Sequence, residues 1–158
     1  MSDQPTPDSA TDGPSSGPSL NVLVQYIKDL SFENPGAPNS FSSGQEQPAI
    51  DIQIGVQAHQ MGSDLYEVVL GIRTEGKTGE TTVFLVELSY GALVALSGVP
   101  PEQIEPVLVI ESGRLLFPFA RNILSDATRN GGYPPLLLNP IDFVDLYRRK
   151  LAATQASA

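Results

Sequence analysis

In the stretch Thr81–Tyr90 (TTVFLVELSY), apolar residues occupy both phases of a two-residue period. The even positions Thr82, Phe84, Val86, Leu88 and Tyr90 are mostly apolar, which is the pattern of a β-strand. The odd positions Thr81, Val83, Leu85, Glu87 and Ser89 should face the opposite way, yet Val83 and Leu85 are apolar as well. A strand of this kind meets something other than water on both faces. One face serves the fold, and the other is left for a partner or a second subunit.

Three other segments alternate. Leu20 to Glu33 puts Leu20, Val22, Val24, Tyr26, Leu30 and Phe32 in one phase, with Leu23, Gln25, Ile27, Asp29, Ser31 and Glu33 in the other. At a strand's rise Asp29 and Glu33 lie about 13 Å apart on one face. Ile50, Ile52, Ile54, Val56 and Ala58 form a second apolar phase, and Tyr66, Val68, Leu70 and Ile72 a third. Residues 34–48 are a long connection rich in turn formers, whereas Met61–Asp64 and the Gly76/Gly79 segment are short turns. Four strands joined mostly by short loops predict an antiparallel meander.

The last third is helical by its caps and period. Pro101 fits a first helical turn, and Pro106 should shorten or kink that helix. Pro118 is expected to open a stronger helix carrying Phe117, Ala120, Ile123, Leu124 and Ala127, stopped at Gly131-Gly132. A final helix should start with Asn139 as N-cap and Pro140 as its first residue, with Ile141, Phe143, Val144, Leu146, Tyr147 and Leu151 as its apolar positions. Strands followed by helices make an α+β fold: a four-stranded antiparallel meander with C-terminal helices packed on one face. Residues 1–18 hold Pro, Ser, Thr, Asp and Gly with almost no apolar side chain, and are read as a disordered acidic tail. A single domain then spans 19–152, and 153–158 is a flexible tail.

Composition removes several functions. With no cysteine there is no disulfide and no thiolate chemistry, which is compatible with a cytoplasmic location. The net charge of −9 opposes nucleic acid and anionic lipid, whose phosphates demand a basic surface, and leaves a basic partner open. No basic, apolar leader follows Met1, and no apolar run reaches the roughly 20 residues that cross a bilayer.

Catalytic patterns are nearly absent. Gly71-Ile-Arg-Thr-Glu-Gly76-Lys77-Thr78 matches a phosphate-binding loop letter for letter, but that chemistry needs a helix to begin at the Lys-Thr pair. A β-patterned segment follows Gly79 instead, so a hairpin is expected. His59 is the only histidine and lacks companions at metal spacing. No G-x-S-x-G occurs, and an enzyme is not expected; neither is a cofactor or a metal. Asp29, Glu33 and Glu87 share a phase with Leu85, which makes an acidic, partly apolar platform suited to a basic partner by charge steering around an apolar anchor. A lone charge on such a face is ordinarily a solvated one.

With these segments in place, KDLSFENPGAP (28–38), LYEVVL (65–70), TTVFLVEL (81–88) and LLFPFARNILSDATRNGGYPPLLLNPIDFVDLY (115–147) resemble the SecB family of bacterial protein-export chaperones. FPFAR, GGYPPL and LNPIDF recur together and in this order. The resemblance implies an ATP-independent homotetramer, a dimer of dimers, that holds unfolded preproteins and delivers them to the translocation motor SecA. It further implies SecA contacts at Asp29, Glu33, Leu85 and Glu87, taken by the motor's basic, zinc-bearing C-terminal tail. Positions that affect tetramer assembly fall on Val86, Leu88 and Tyr90. A client groove falls on Ile50, Ile52 and Ile54, with Phe143 and Tyr147 from the last helix. Where relatives place a Trp before the Gln-Pro that opens the second strand, this chain has Gln45-Glu46-Gln47-Pro48, which leaves Phe41 as the candidate aromatic. Two rival readings remain: a homo-oligomeric adaptor that binds a folded basic partner and holds no client, and a nucleotide-binding enzyme using Gly76-Lys77-Thr78.

Overall fold

Four long antiparallel strands form one sheet: β1 (Ser19–Glu33), β2 (Ala49–Gly62), β3 (Leu65–Thr78) and β4 (Thr81–Ser97). The structure, a computed structural model, describes residues 17–156. The tail expected over 1–18 therefore lies, except for its last two residues, outside the described residues.

The strand order is β1-β4-β3-β2, not that of a simple meander. Only β2, β3 and β4 follow one another through tight turns, and β1 returns by the long 34–48 connection to lie beside β4, as in a Greek key. The connection is anchored where it crosses. The Gly36 amide donates to the Val83 carbonyl at 3.1 Å, and Asn34 donates to the Gly131 carbonyl at 2.9 Å. Neighbours on both sides, helices over the even phase and the crossover against Val83, which is 5% exposed, explain most of the apolar content of Thr81–Tyr90, whereas Leu85 and Glu87 lie on the open face.

Helices cover one face. After a 3-10 turn at Pro101–Gln103, the chain runs through α1 (Ile104–Val107), a π-turn (Leu108–Ser112) and α2 (Gly113–Asn130) without leaving helical geometry. Pro118 thus sits inside α2 rather than opening it. The Gly113 backbone is helical, and a Cβ there would stand 2.6 Å from the Phe143 ring. The glycine admits α3 (Phe143–Ala156) against α2.

The cap expected at Asn139 lies three residues further on. The Asp142 carboxylate accepts from the Asp145 amide at 3.1 Å, and Pro140 belongs to the irregular 134–142 segment before it. The helix runs to Ala156, past the boundary expected at residue 152.

The core lies between helices and sheet. Val68, Leu70, Ile72, Val86, Leu88, Ala92 and Val94 meet Leu108, Leu116, Phe117, Ala120 and Leu124. Val86 and Leu88, expected at an interface between copies, are 0% and 2% exposed within one chain, and Tyr90 is 8%. A second copy cannot touch side chains that the chain's own helices already cover. The even phase of β4 is core, and the apolar excess lies elsewhere: at Leu23, Val24, Ile27 and Leu30 along β1, and at Leu115 and Phe119 on α2.

Two register shifts on β1, between Val22 and Val24 and between Ile27 and Asp29, break its alternation. Each adds a residue and so exchanges the faces of the residues beyond it. Gln25 and Ile27 turn toward the helices, and Gln25 accepts there from the Tyr90 hydroxyl at 3.1 Å. Val24 and Tyr26 move to the open face, the reverse of their expected places.

Candidate functional site

The open face of the sheet gathers the predicted acids. Register pairs Asp29 with Ser89, Ser31 with Glu87 and Glu33 with Leu85. Glu87 therefore stands diagonally between Asp29 and Glu33, roughly 7–8 Å from each. In a meander β1 and β4 would be three strand spacings apart, about 14 Å. The crossover assembles the platform, where alternation alone could only name its members.

The platform is not purely acidic. The Arg73 guanidinium donates to Glu87 at 3.1 Å and to Glu75 at 3.2 Å, contacts that hold its pKa above the usual value, Glu87 first. Glu75 accepts from the Thr82 hydroxyl at 2.5 Å, the main cause of its lowered pKa, and Lys77 lies 3.9 Å away. Asp29 and Glu33 are exposed, and Leu85 is half-buried directly opposite Glu33.

Further along, Tyr26 donates to Glu67 at 2.5 Å and Lys28 to the same carboxylate at 2.6 Å. Lys28, then Tyr26, hold the Glu67 carboxyl below its usual range. His59 is exposed on β2 opposite Glu67, and among the described residues no group of three or more His, Cys, Asp or Glu could hold a metal ion.

The phosphate-loop lookalike is strand throughout. Gly71 to Thr78 belong to β3, Thr78 pairs with Thr81, and Gly79 takes the turn with φ +61°. No helix starts at Lys77-Thr78, so no amide cradle forms. Gly76 has a packing reason: the Phe84 ring lies across it, and a Cβ would come within 2.5 Å.

A second candidate surface lies at the β2 end of the helix-covered face. Ile50, Phe84, Thr128, Tyr133, Pro134, Pro135 and Leu137 line a pocket of about 190 Å3. Its walls are held by polar contacts. Tyr133 donates to Asn34 at 2.7 Å and accepts from Ser40 at 3.0 Å, while Thr128 donates to the Leu124 carbonyl and accepts from the Leu136 amide. Rings from the crossover continue it: Phe41 lies 5.1 Å from Tyr133, which lies 4.7 Å from Phe84. The Leu137 side chain is 75% exposed and Phe41 48%.

Beyond Ile52, a cleft of about 380 Å3 runs between β2 and α3, lined by Ile54, Val56, Leu146, Arg149 and Lys150. Ile50 and Ile52 are exposed, and Ile54 is half-buried against the core. Phe143 departs from its predicted place: 2% exposed and edge-on to Phe117 at 6.1 Å, it is core and touches no groove. Tyr147 is half-buried, and burial, then the Glu105 charge, raise its hydroxyl pKa. The last helix presents Leu146 and Lys150 to the cleft instead. Phe84, Tyr133 and Leu137 were missed because periodicity assigns Phe84 to the strand core and is silent about a Pro-Pro segment.

Residues 14–154 match the family model described as preprotein translocase subunit SecB. A protein-export protein SecB of Maricaulis maris is 51% identical over all of this chain and 91% of its own length. That of Rhodospirillum centenum is 53% identical over 84% of this chain and 79% of its own. In fold, the chain is similar to a SecB-like chaperone of Mycobacterium tuberculosis solved in complex with a ChAD peptide from an antitoxin. That likeness has a TM-score of 0.60 at 16% identity, covering 78% of this chain and 91% of the other.

Proposed function

The chain belongs to the SecB family of protein-export chaperones, and on that basis we propose that it binds unfolded preproteins without ATP and delivers them to SecA. The observation that carries the reading is the contiguous apolar surface of Ile50, Ile52, Phe41, Tyr133 and Leu137 around an open pocket. Exposed apolar patches of this kind are retained for binding, and an unfolded chain offers the matching chemistry at any exposed apolar segment. Phe41 stands in this chain where the expected Trp is absent, and its tilted contact with the Tyr133 ring gives the groove an aromatic end.

Delivery rests on the acidic platform. A basic, zinc-bearing SecA tail would meet Asp29, Glu33 and Glu87 around Leu85, with Arg73 as the internal cation it must displace from Glu87. Assembly as a dimer of dimers is supported by two apolar surfaces, the outer edge of β1 and the outer face of α2. Phe119 on α2 stacks at 6.3 Å on Tyr90, so Val86, Leu88 and Tyr90 would affect assembly from beneath, by holding α2 in place.

The test is aggregation of an unfolded client at stoichiometric ratio without nucleotide. The native protein should suppress it and Leu137→Ser should not, at an unchanged melting temperature. No suppression by the native protein would overturn the chaperone reading. In parallel, Asp29→Lys should weaken binding of a basic SecA-tail peptide while client capture persists, and attraction should fall with salt as exposed charges are screened within about 8 Å. Equal tail binding by native and variant would reduce the platform to a solvated face.

A further inference from the structure

The Lys150 ammonium donates to the main-chain carbonyl of Val56 at 3.2 Å and pairs with Glu105 at 3.2 Å. Val56 lies in β2, which closes one side of the sheet. Its carbonyl must therefore point away from β3. In an antiparallel strand each residue directs its N–H and C=O to one side, alternating along the chain. The β2–β3 register is unbroken from Ala49 to Gln60, so Ile50, Ile52 and Ile54 also present both groups outward. Among the described residues, no hydrogen bond joins the outward backbone of these three to another element.

The side chains of these residues line the client surface, so one row of residues offers both an unpaired edge and an apolar face. A helix-borne cation occupies the acceptor where an added strand's amide would sit. Taking β2 as the client strand of the chaperone reading, we infer that Lys150 gates its edge, competing for the Val56 carbonyl with the amide of an extended client segment laid there as an added strand. The inference rests on the chaperone reading and assigns the gate to α3, with Glu105 as the second anchor of the Lys150 head. An unfolded polypeptide is the occupant favoured, because the edge demands main-chain donors and acceptors whereas the flanking Ile side chains demand only apolar contact.

The experiment uses the full-length protein with a reduced, alkylated, permanently unfolded protein as probe. Amide hydrogen exchange should show Ile52, Ile54 and Val56 gaining protection when the probe binds, while Gln53 and Gly55, already bonded to β3, change little. Lys150→Met keeps the apolar stem and removes the competing donor. It should bind the probe roughly 2- to 10-fold more tightly, the range one net hydrogen bond supplies. Glu105→Gln, which frees Lys150 from its anchor without touching β2, should move affinity the same way and less. Probe binding with no new protection at the even amides, or with Lys150→Met no tighter than native, overturns the gate and leaves the chaperone standing. Protection of those amides without probe, growing with protein concentration, assigns the edge to a second copy and overturns it too. A native protein that does not bind the probe removes the chaperone reading itself.

Discussion

Tyr26 reaches across bare backbone to a carboxylate two strands away, and one glycine makes that possible. A Cβ on Gly91 would stand 2.8 Å from the Tyr26 ring. Burial, then the bond to Glu67, push the Tyr26 hydroxyl up to about 12 from 10.0. A raised folded-state value means the neutral hydroxyl stabilises the fold fully below pH 10 and is lost as pH rises through about 12. Glu67 has the opposite sign: its lowered value gives stability above 4.5 that fades as pH falls through the folded value. Gly91→Ala should displace the ring, return the Tyr26 titration toward 10 and cost about 1–3 kcal/mol. Phenolate absorbance against a Tyr26→Phe control, together with denaturant midpoints, measures both. An unmoved titration in Gly91→Ala would mean the ring does not depend on that gap. Gly91 carries no motif, and only the neighbouring strand gives it a purpose.

Among the elements, α3 depends on what α2 leaves empty. Its start is set by Asp142, and its seat by Gly113, over which the Phe143 ring lies. Gly113→Ala should improve the intrinsic helix propensity of α2 yet lower stability by about 1–3 kcal/mol, because the added methyl meets a ring in a packed core. Loss of stability would be accompanied by faster exchange in α3, since that helix is the piece displaced. A more stable Gly113→Ala variant would show that Phe143 can move at no cost, and the packing account would fall. The helix starts also mark what propensity reading can do. Asn139 and Asp142 are both good caps, and choosing between them required knowing that Leu138 is buried in the core just before the turn.

Across the molecule, burial reassigns the substitutions that should act on assembly. Val86→Asp places a carboxylate in a fully covered site and should unfold the chain rather than divide an oligomer. Leu23→Lys with Ile27→Lys, on exposed positions of the β1 edge, should instead lower the mass seen by light scattering while circular dichroism stays native. A native mass equal to one chain, or a double variant that keeps the native mass, would remove the β1 edge from assembly.

Sequence alone was enough to establish that four β segments precede helices, that Asp29, Glu33, Leu85 and Glu87 share a phase, and which family's motifs the chain carries. Side-chain period, capping chemistry and motif order are local, so they are legible along an unfolded chain. It took the folded chain to place β1 beside β4, to exchange the faces of Gln25 and Tyr26 through the shift between Val22 and Val24, and to make Phe143 and the even phase of β4 interior. Those outcomes depend on which surfaces meet across long sequence separations. An alternating strand looks the same whether its apolar face meets a helix of its own chain or of another.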